Sequence, residues 1–465
     1  MTDLSPALQA LHDRFGERFS ASASVREQHG RGEAHQDTIA PDAVLFPETT
    51  EEVAEIVRAC VAAGLPVIPH GAGTSLEGHL SAEQGGVCVD LSRMNRVLSV
   101  NPEDLDCSVE PGVTREQLNA YLRDQGLFFP VDPGANASIG GMTSTRASGT
   151  NAVRYGTMRE NVLSLTVVLP DGRIVRTARR ARKSAAGYDL THLFIGAEGT
   201  LGIITEITLR LYGIPETISA ALCHFPDVDD AVGAAISIIQ LGIPVARMEL
   251  MDRALVGAVN SYSHTALAQA DTLAFEFHGA AAIVEEQVAM VREIVAEHGG
   301  ADFQWATSAE DRAKLWKARH HAFYAVIAQR PGCKGWSSDV CVPVSKLGEC
   351  IHFTRELLSR SAIPAFILGH VGDGNYHVVF AVDPACPSEL EEVAAINRAM
   401  VEKAISVDGT CTGEHGIGTG KIGYMRAEHG DVALELMAAL KHAVDPRGLM
   451  NPGKILPPSN QASRH

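Results

Sequence analysis

Apolar runs of strand length alternate with longer runs of helical spacing along most of the chain, and glycine, proline and small polar residues separate them. Val44 to Phe46 reads as a strand, and Thr49-x-x-Glu52 is a capping box that opens a helix ending near Gly64. Pro66 to Pro69, Val87 to Leu91 and Arg96 to Val100 are further strands, and this alternation predicts a small α/β unit with parallel pairing. Thr114-x-x-Gln117 caps a helix that closes at Gly126. A polar, glycine-rich run from Asp132 to Gly156 precedes the strand Leu163 to Leu169, which turns at Asp171-Gly172. The β-branched stretch Leu201 to Leu211 ends at Gly213 and Pro215, where a domain boundary is expected.

Past Pro215 the pattern runs strand (219–225), helix (228–241), strand (246–251), helix, strand (272–277), helix (283–298). That even alternation predicts an α+β domain with helices on one face of an antiparallel sheet. Val432 to Ala443 is helical, and the loop from Asp445-Pro446 to Pro452-Gly453-Lys454 is expected to run back to the first domain. Four segments follow: 1–40, an amphipathic helical start; 41–215; 216–443; and 444–465.

Late in the second domain, Gly369-His370-Val371-Gly372-Asp373-Gly374-Asn375-Tyr376-His377 carries an Asp-Gly pair, a strong signal for a two-residue hairpin turn. Counting outward, Gly372 faces Asn375, Val371 faces Tyr376, and His370 faces His377. Directly opposed residues share a face with Cβ atoms about 5 Å apart, so two imidazoles there can share one metal ion. Taken alone, the pair reads first as a hairpin with two half-buried histidines. Glu414, in Gly413-Glu414-His415-Gly416-Ile417-Gly418, is the best candidate for a third ligand.

Composition narrows the setting. At 465 residues the chain exceeds what one core usually serves. Its 45% hydrophobic and 20% charged residues are those of an ordinary globular protein. The formal charge of −17 argues against nucleic acid as a partner. Nine cysteines without a Cys-x-x-Cys pair fit reduced thiols, and a cytoplasmic setting is expected. Met1 to Phe19 lacks a basic n-region and an apolar h-region, so no secretory signal is read. The most apolar window, Val232 to Ala246, is broken by Ser237, Gln240 and Pro244 and is too short to span a bilayer. Arg173, Arg176, Arg179, Arg180, Arg182 and Lys183 form a basic run that reads first as a solvated loop. Docking to an acidic electron acceptor, or peripheral membrane contact, is its minority reading.

The loop Pro69-His70-Gly71-Ala72-Gly73-Thr74-Ser75-Leu76-Glu77-Gly78 follows a strand and offers several unobstructed backbone N–H groups with two hydroxyls, a phosphate or pyrophosphate cradle. It lacks the lysine of a P-loop and the Gly-x-Gly-x-x-Gly of a dinucleotide fingerprint, and a ligand-free glycine turn is the plain alternative. With Asp132-Pro133-Gly134, Ser138-Ile139-Gly140-Gly141 and Gly196-Ala197-Glu198-Gly199-Thr200-Leu201-Gly202, it follows the order of one flavin fold. The first 215 residues resemble the two-subdomain FAD-binding domain of the vanillyl-alcohol-oxidase type. That resemblance implies an α+β fold with a ferredoxin-like α+β cap domain. In the first loop it places Pro69, His70, Gly71, Ala72, Gly73, Thr74 and Ser75 at the cofactor. It adds Asp132, Pro133, Gly134, Ser138, Gly140, Gly141, Ser144, Ser148 and Gly149, then Glu198, Gly199, Gly202, Ile203 and Asn451. Members that attach the flavin through the first loop have His where this chain has Thr74, which implies non-covalent FAD.

The second half is similar to the cytochrome-type D-lactate dehydrogenases. The similarity lies in Trp316 to His321, Arg330 to Gly335, Ser338 to Pro343, Gly369 to His377, Gly409 to Gly418 and Leu449 to Lys454. It implies oxidation of D-lactate, or a similar short D-2-hydroxy acid, to the 2-oxo acid, with electrons passing from FAD to a cytochrome or quinone-like acceptor. By motif and by chemistry, His370, His377 and Glu414 would hold Zn²⁺ or Mn²⁺, with Fe²⁺ also suited to the set. His415 would act as base and Arg319 would clamp the substrate carboxylate, while His320 and His321 are left as structural. Within this class, D-2-hydroxyglutarate dehydrogenase and the flavin subunit of glycolate oxidase are the alternatives. A dicarboxylate needs a second cation, and Trp336-Ser337-Ser338-Asp339 supplies none, although Arg330 and Lys334 are near in sequence. From another class, a metal-dependent hydrolase without flavin would use the same two histidines and one carboxylate.

Overall fold

The computed structural model describes residues 4–33 and 38–458, without the side chains of Ala318 and His320. Two compact units divide the chain: Met1–Gly149 with Gly156–Ile214 and Glu414–His465, and Thr150–Tyr155 with Pro215–Gly413. The chain thus returns to the first unit at Glu414 rather than at residue 444. The cause is local to that unit. Glu198 accepts hydrogen bonds from the backbone N–H groups of Ile417 and Gly418, and the Glu77 carbonyl accepts from those of Thr419 and Gly420.

The first unit contains two principal sheets. In one, Ala43–Leu45, Val87–Asp90 and Val67–His70 pair in parallel, with Phe19–Ser20 antiparallel at the edge. Helix Thr50–Ala63 covers it with Val53, Ile56, Val57 and Cys60. Thr49 caps that helix through the Glu52 N–H, but the Glu52 carboxylate turns to Arg18 and the Glu48 N–H, so the capping box is half formed. The box predicted at Thr114 and Gln117 is complete, and Gly126 closes the 3₁₀ turn after helix Arg115–Leu122.

Val97–Asn101 does not join the parallel sheet. A tight turn returns the chain as Asp106–Val109, and a turn that short allows only antiparallel pairing. These two strands continue into Ile203–Arg210, Val162–Val168 and Ile174–Arg176 over a second core built on Phe129, Ile139, Leu165 and Ile207.

The second unit is organised on one antiparallel sheet in the order Ala301–Ala306, Thr217–Phe225, Asp271–Gly279, Arg247–Met251, Ala365–His370, Asn375–Val382, Lys334–Ser337. Val340–Cys341 also pairs with Asn375–Val382. Helices cover both faces of this sheet, not one. One face presents Leu250, Leu273, Phe275, Phe277 and Tyr376, and Tyr376 bonds Thr354 of helix Leu347–Leu358 at 3.1 Å. The other face presents Leu222, Met251, Leu368 and Val379, which pack on helices Arg253–Ser263 and Ala322–Ala328. This double cover is why Asn375–Val382 is buried at all eight positions instead of alternating. Glu249, His370, Asn375 and His377 lie on the second of these faces, since Glu249 opposes His370 and His370 opposes Asn375.

Candidate functional site

In the second unit, the hairpin carrying the two histidines has a register different from the expected one. His370 opposes Asn375, Gly369 opposes Tyr376, and His377 opposes Leu368. The turn spans four residues, Val371 to Gly374, with the Asp373 N–H donating to the His370 carbonyl at 3.2 Å. A two-residue type I′ turn needs φ > 0 at both central positions, and of Asp373 and Gly374 only the glycine has it, at +82°. The shift by two preserves the face. His370 and His377 become diagonal neighbours, with ring centroids 5.5 Å apart and planes at 80°.

Each imidazole is held through Nδ1. His370 Nδ1 donates to Glu249 Oε1 at 2.6 Å, and His377 Nδ1 donates to the Ser338 carbonyl at 2.9 Å. In a neutral ring this puts the lone pair of each on Nε2, the tautomer that metal-bound histidines take. Glu249 is fully buried and also accepts from Arg319 Nε at 2.8 Å. Burial pushes its carboxyl up, but His370 and Arg319 together outweigh that and hold it below its ordinary value.

Asp339, also fully buried, fixes the segment leading to Glu414. It accepts from Asn375 Nδ2 at 2.8 Å, Thr412 Oγ1 at 2.8 Å and the Gly413 N–H at 2.9 Å. Gly413 lies so close to Asn375 that a Cβ would collide with its Nδ2.

In the first unit the three glycine-rich segments expected at the cofactor come together. A Cβ on Gly71 would collide with Ser138 Oγ, and one on Gly199 with the Pro69 ring. The Glu198 N–H donates to the Ser144 carbonyl at 2.9 Å, and Asn451 Nδ2 donates to the Glu198 carbonyl at 2.7 Å. Among the described residues, no hydrogen bond of the fold uses the backbone N–H groups of Gly71 to Leu76. A row of backbone donors at a strand end, unclaimed by the protein, fits a pyrophosphate.

Other expected positions also make contacts within the fold. Gly140 packs on Pro111 and Gly202 on Val167 and Val168. The Glu198 carboxylate is committed to the Ile417 and Gly418 N–H groups at 2.7 and 2.8 Å. His70 turns its ring toward His29 and Asp90. His415, in this unit, has Nδ1 3.6 Å from Glu77 Oε1, and Lys421 Nζ lies 3.4 Å from the same oxygen.

Sequence reading missed Glu249, the Ser338 carbonyl, Asp339 and Glu77. Glu249 had a signal. A lone carboxylate inside the apolar run Met248-Glu249-Leu250-Met251 must find a cation or a donor when buried. The basic run is partly neutralised within its own unit, with Arg180 on Asp104 and Asp106 and Arg173 on Asp171, as a solvated loop would be. Among the described residues, no helix is long and apolar enough to cross a membrane.

Comparison with known proteins identifies the family. Residues 41–178 match the FAD binding domain family, and residues 214–455 match the family of FAD linked oxidases, C-terminal domain. A zebrafish (Danio rerio) protein named probable D-lactate dehydrogenase, mitochondrial, is 53% identical across 95% of this chain and 89% of its own length. An Arabidopsis thaliana protein named D-lactate dehydrogenase (cytochrome), mitochondrial, is 49% identical across 91% of this chain and 75% of its own. Among solved structures, 4-ethylphenol oxidase from Gulosibacter chungangensis superposes with a TM-score of 0.80 at 18% identity, covering 99% of both chains. A p-cresol methylhydroxylase superposes with a TM-score of 0.78 at 17% identity, covering 97% of this chain and 96% of its own. These two show the fold. The mitochondrial relatives overturn the cytoplasmic expectation, which rested on nine free thiols, and those report a reducing setting without naming the compartment. With both halves matched and a unit built to receive the cofactor, the chain belongs to the FAD-linked oxidases.

Proposed function

We propose that this protein oxidises D-lactate, or a similar short D-2-hydroxy acid, to the 2-oxo acid and passes the electrons to a cytochrome or quinone-like acceptor. The names of the 53% and 49% identical relatives support the substrate and, for the second, the acceptor. FAD, when bound at the Gly71 loop, supplies the two-electron chemistry that no side chain can. A divalent ion held by His370, His377 and Glu414, Zn²⁺ or Mn²⁺ by donor type, would draw in the α-hydroxyl and one carboxylate oxygen and acidify the hydroxyl.

The observation that carries the metal reading is the pinning of both imidazoles through Nδ1, by Glu249 and by the Ser338 carbonyl. The chain's own residues then divide the work. Arg319 spends Nε on Glu249, which leaves its two Nη groups as the fork for a substrate carboxylate. His415 takes the hydroxyl proton, with the Glu77 carboxylate beside it to favour the imidazolium that results.

The dicarboxylate alternative loses its cations. Arg330 is paired with Glu389 at 2.8 Å. Lys334 opposes Val382, five residues along the strand from His377, or about 17 Å at strand rise. Steady-state turnover of D-lactate is therefore expected to exceed that of D-2-hydroxyglutarate, and a large preference for the dicarboxylate would refute the substrate assignment. His415→Ala should keep its flavin and slow substrate reduction by about 10²–10⁴-fold. Chelator treatment should abolish turnover with flavin retained, and Zn²⁺ or Mn²⁺ should restore it. Full activity after complete metal removal would sink the metal reading.

A further inference from the structure

We propose that His29, His70 and Asp90 form a second divalent-metal site, in the first unit, of the class that takes Zn²⁺ through two imidazoles and one carboxylate. His29 stands in the last turn of helix Ala23–Gly30, and His70 and Asp90 are paired at the ends of parallel strands Val67–His70 and Val87–Asp90. Three elements far apart in sequence deliver three ligand-type side chains to one point, with one ligand atom of each within 4.8 Å of the others. His29 Nε2 is 2.8 Å and His70 Nδ1 is 3.8 Å from Asp90 Oδ2. Zinc–ligand bonds of about 2.0–2.2 Å in tetrahedral array set ligand atoms about 3.3 Å apart, between those two values.

The surroundings are those of a ligand set. His29 Nδ1 donates to the Val25 carbonyl at 2.7 Å, which in a neutral ring aims the Nε2 lone pair at the site. Asp90 Oδ1 accepts the Ser92 N–H at 2.7 Å, which orients the carboxylate. His70 Nδ1 is buried and has no hydrogen-bond partner among the described residues. A polar nitrogen left unsatisfied in the interior is costly, and an ion at this point would satisfy it. With no ion, one proton bridges His29 and Asp90; a metal takes that proton's place and releases it to solvent.

The position suggests the consequence. His70 is followed directly by Gly71, so an ion here ties the helix Ala23–Gly30 to the strand that launches the phosphate loop. The site shares no residue with the proposed His370, His377 and Glu414 set.

The test is zinc stoichiometry of the flavin-loaded protein. Samples stripped with chelator, saturated with Zn²⁺ and freed of excess would be assayed by elemental analysis, with circular dichroism and flavin absorbance as checks on folding. His29→Gln and His70→Gln should each lose one zinc per chain relative to wild type. His70→Gln combined with His370→Gln should lose more than either alone, unless His370 holds no metal, in which case His370→Gln alone changes nothing. Folded His29→Gln and His70→Gln proteins that retain the wild-type zinc content would overturn the proposal and reduce the cluster to a buried ion pair. Should the variants fail to fold, zinc-saturated wild-type crystals decide. An anomalous peak among the three side chains supports the site, and its absence overturns it.

Discussion

The two faces of the antiparallel sheet in the second unit are equally buried and do different things. One is a hydrocarbon surface of Leu250, Leu273, Phe275, Phe277 and Tyr376; the other carries Glu249, His370 and His377 among its apolar residues, with Glu249 bonded to His370 and Arg319 and His377 bonded to the Ser338 carbonyl. Because side chains alternate along a strand, both faces are written in the same residues, one position out of step. Burial is thus no guide to purpose here. What separates the faces is whether each buried group is satisfied by dispersion or by a specific partner.

The contrast can be tested from its steepest side. Phe275 is fully buried and stacks on Phe277 at 6.3 Å, so Phe275→Ala should cost about 3–5 kcal/mol in denaturant unfolding. A loss below about 1 kcal/mol would mean the apolar face is not the one holding the unit together.

Next is the fate of two buried carboxylates three residues apart. Glu249 is kept charged by the Arg319 guanidinium and the His370 N–H, whereas Asp252 faces the N–H of Leu255 and burial pushes its carboxyl up to about 6. A carboxyl raised on folding stabilises while protonated. Stability should therefore fall, by on the order of 3 kcal/mol, as pH rises from about 4 through about 6. Asp252→Asn keeps the helix cap and should flatten that slope in unfolding measured across the range; an unchanged slope would assign it elsewhere.

On the polar face, Glu249→Gln should weaken metal retention about 10- to 100-fold, read by competition with a chelator, and unfold with a smaller loss than Phe275→Ala. Equal metal affinity would remove Glu249 as the group that orients His370. The mildest change is Thr354→Val, which removes the hydroxyl from Tyr376 and should cost about 1 kcal/mol without touching turnover.

Much of this architecture could be read from local signals, and the errors share one cause. Thr114 with Gln117, Gly64 and Gly126 act within a few residues of themselves, and all three helix ends fell where expected. The strand pair around Asp373-Gly374 was legible too, but its register was not, because Gly374 packs against the Val342 backbone and the turn forms one step earlier, on His370. A distant segment overrode the local preference. The same holds for residues 414–443, assigned by sequence to the second domain and drawn into the first by Glu77 and Glu198, hundreds of positions away. At the site, histidines were visible by type. The acid that orients one and the carbonyl that orients the other were not, since nothing in sequence places Glu249 or Ser338 beside the hairpin.

Gly413 gives the proposed site an unexpected property. Its N–H is clamped by Asp339, and no side chain fits there beside Asn375, so the backbone origin of residue 414 is fixed whatever residue stands at 414. That makes 414 an exchangeable socket. Aspartate there would fall short by one methylene with no backbone slack to make it up, while histidine or cysteine would start from the same point with a different donor. Metal preference at the proposed site should then be tunable by a single position, with the scaffold behind it left alone.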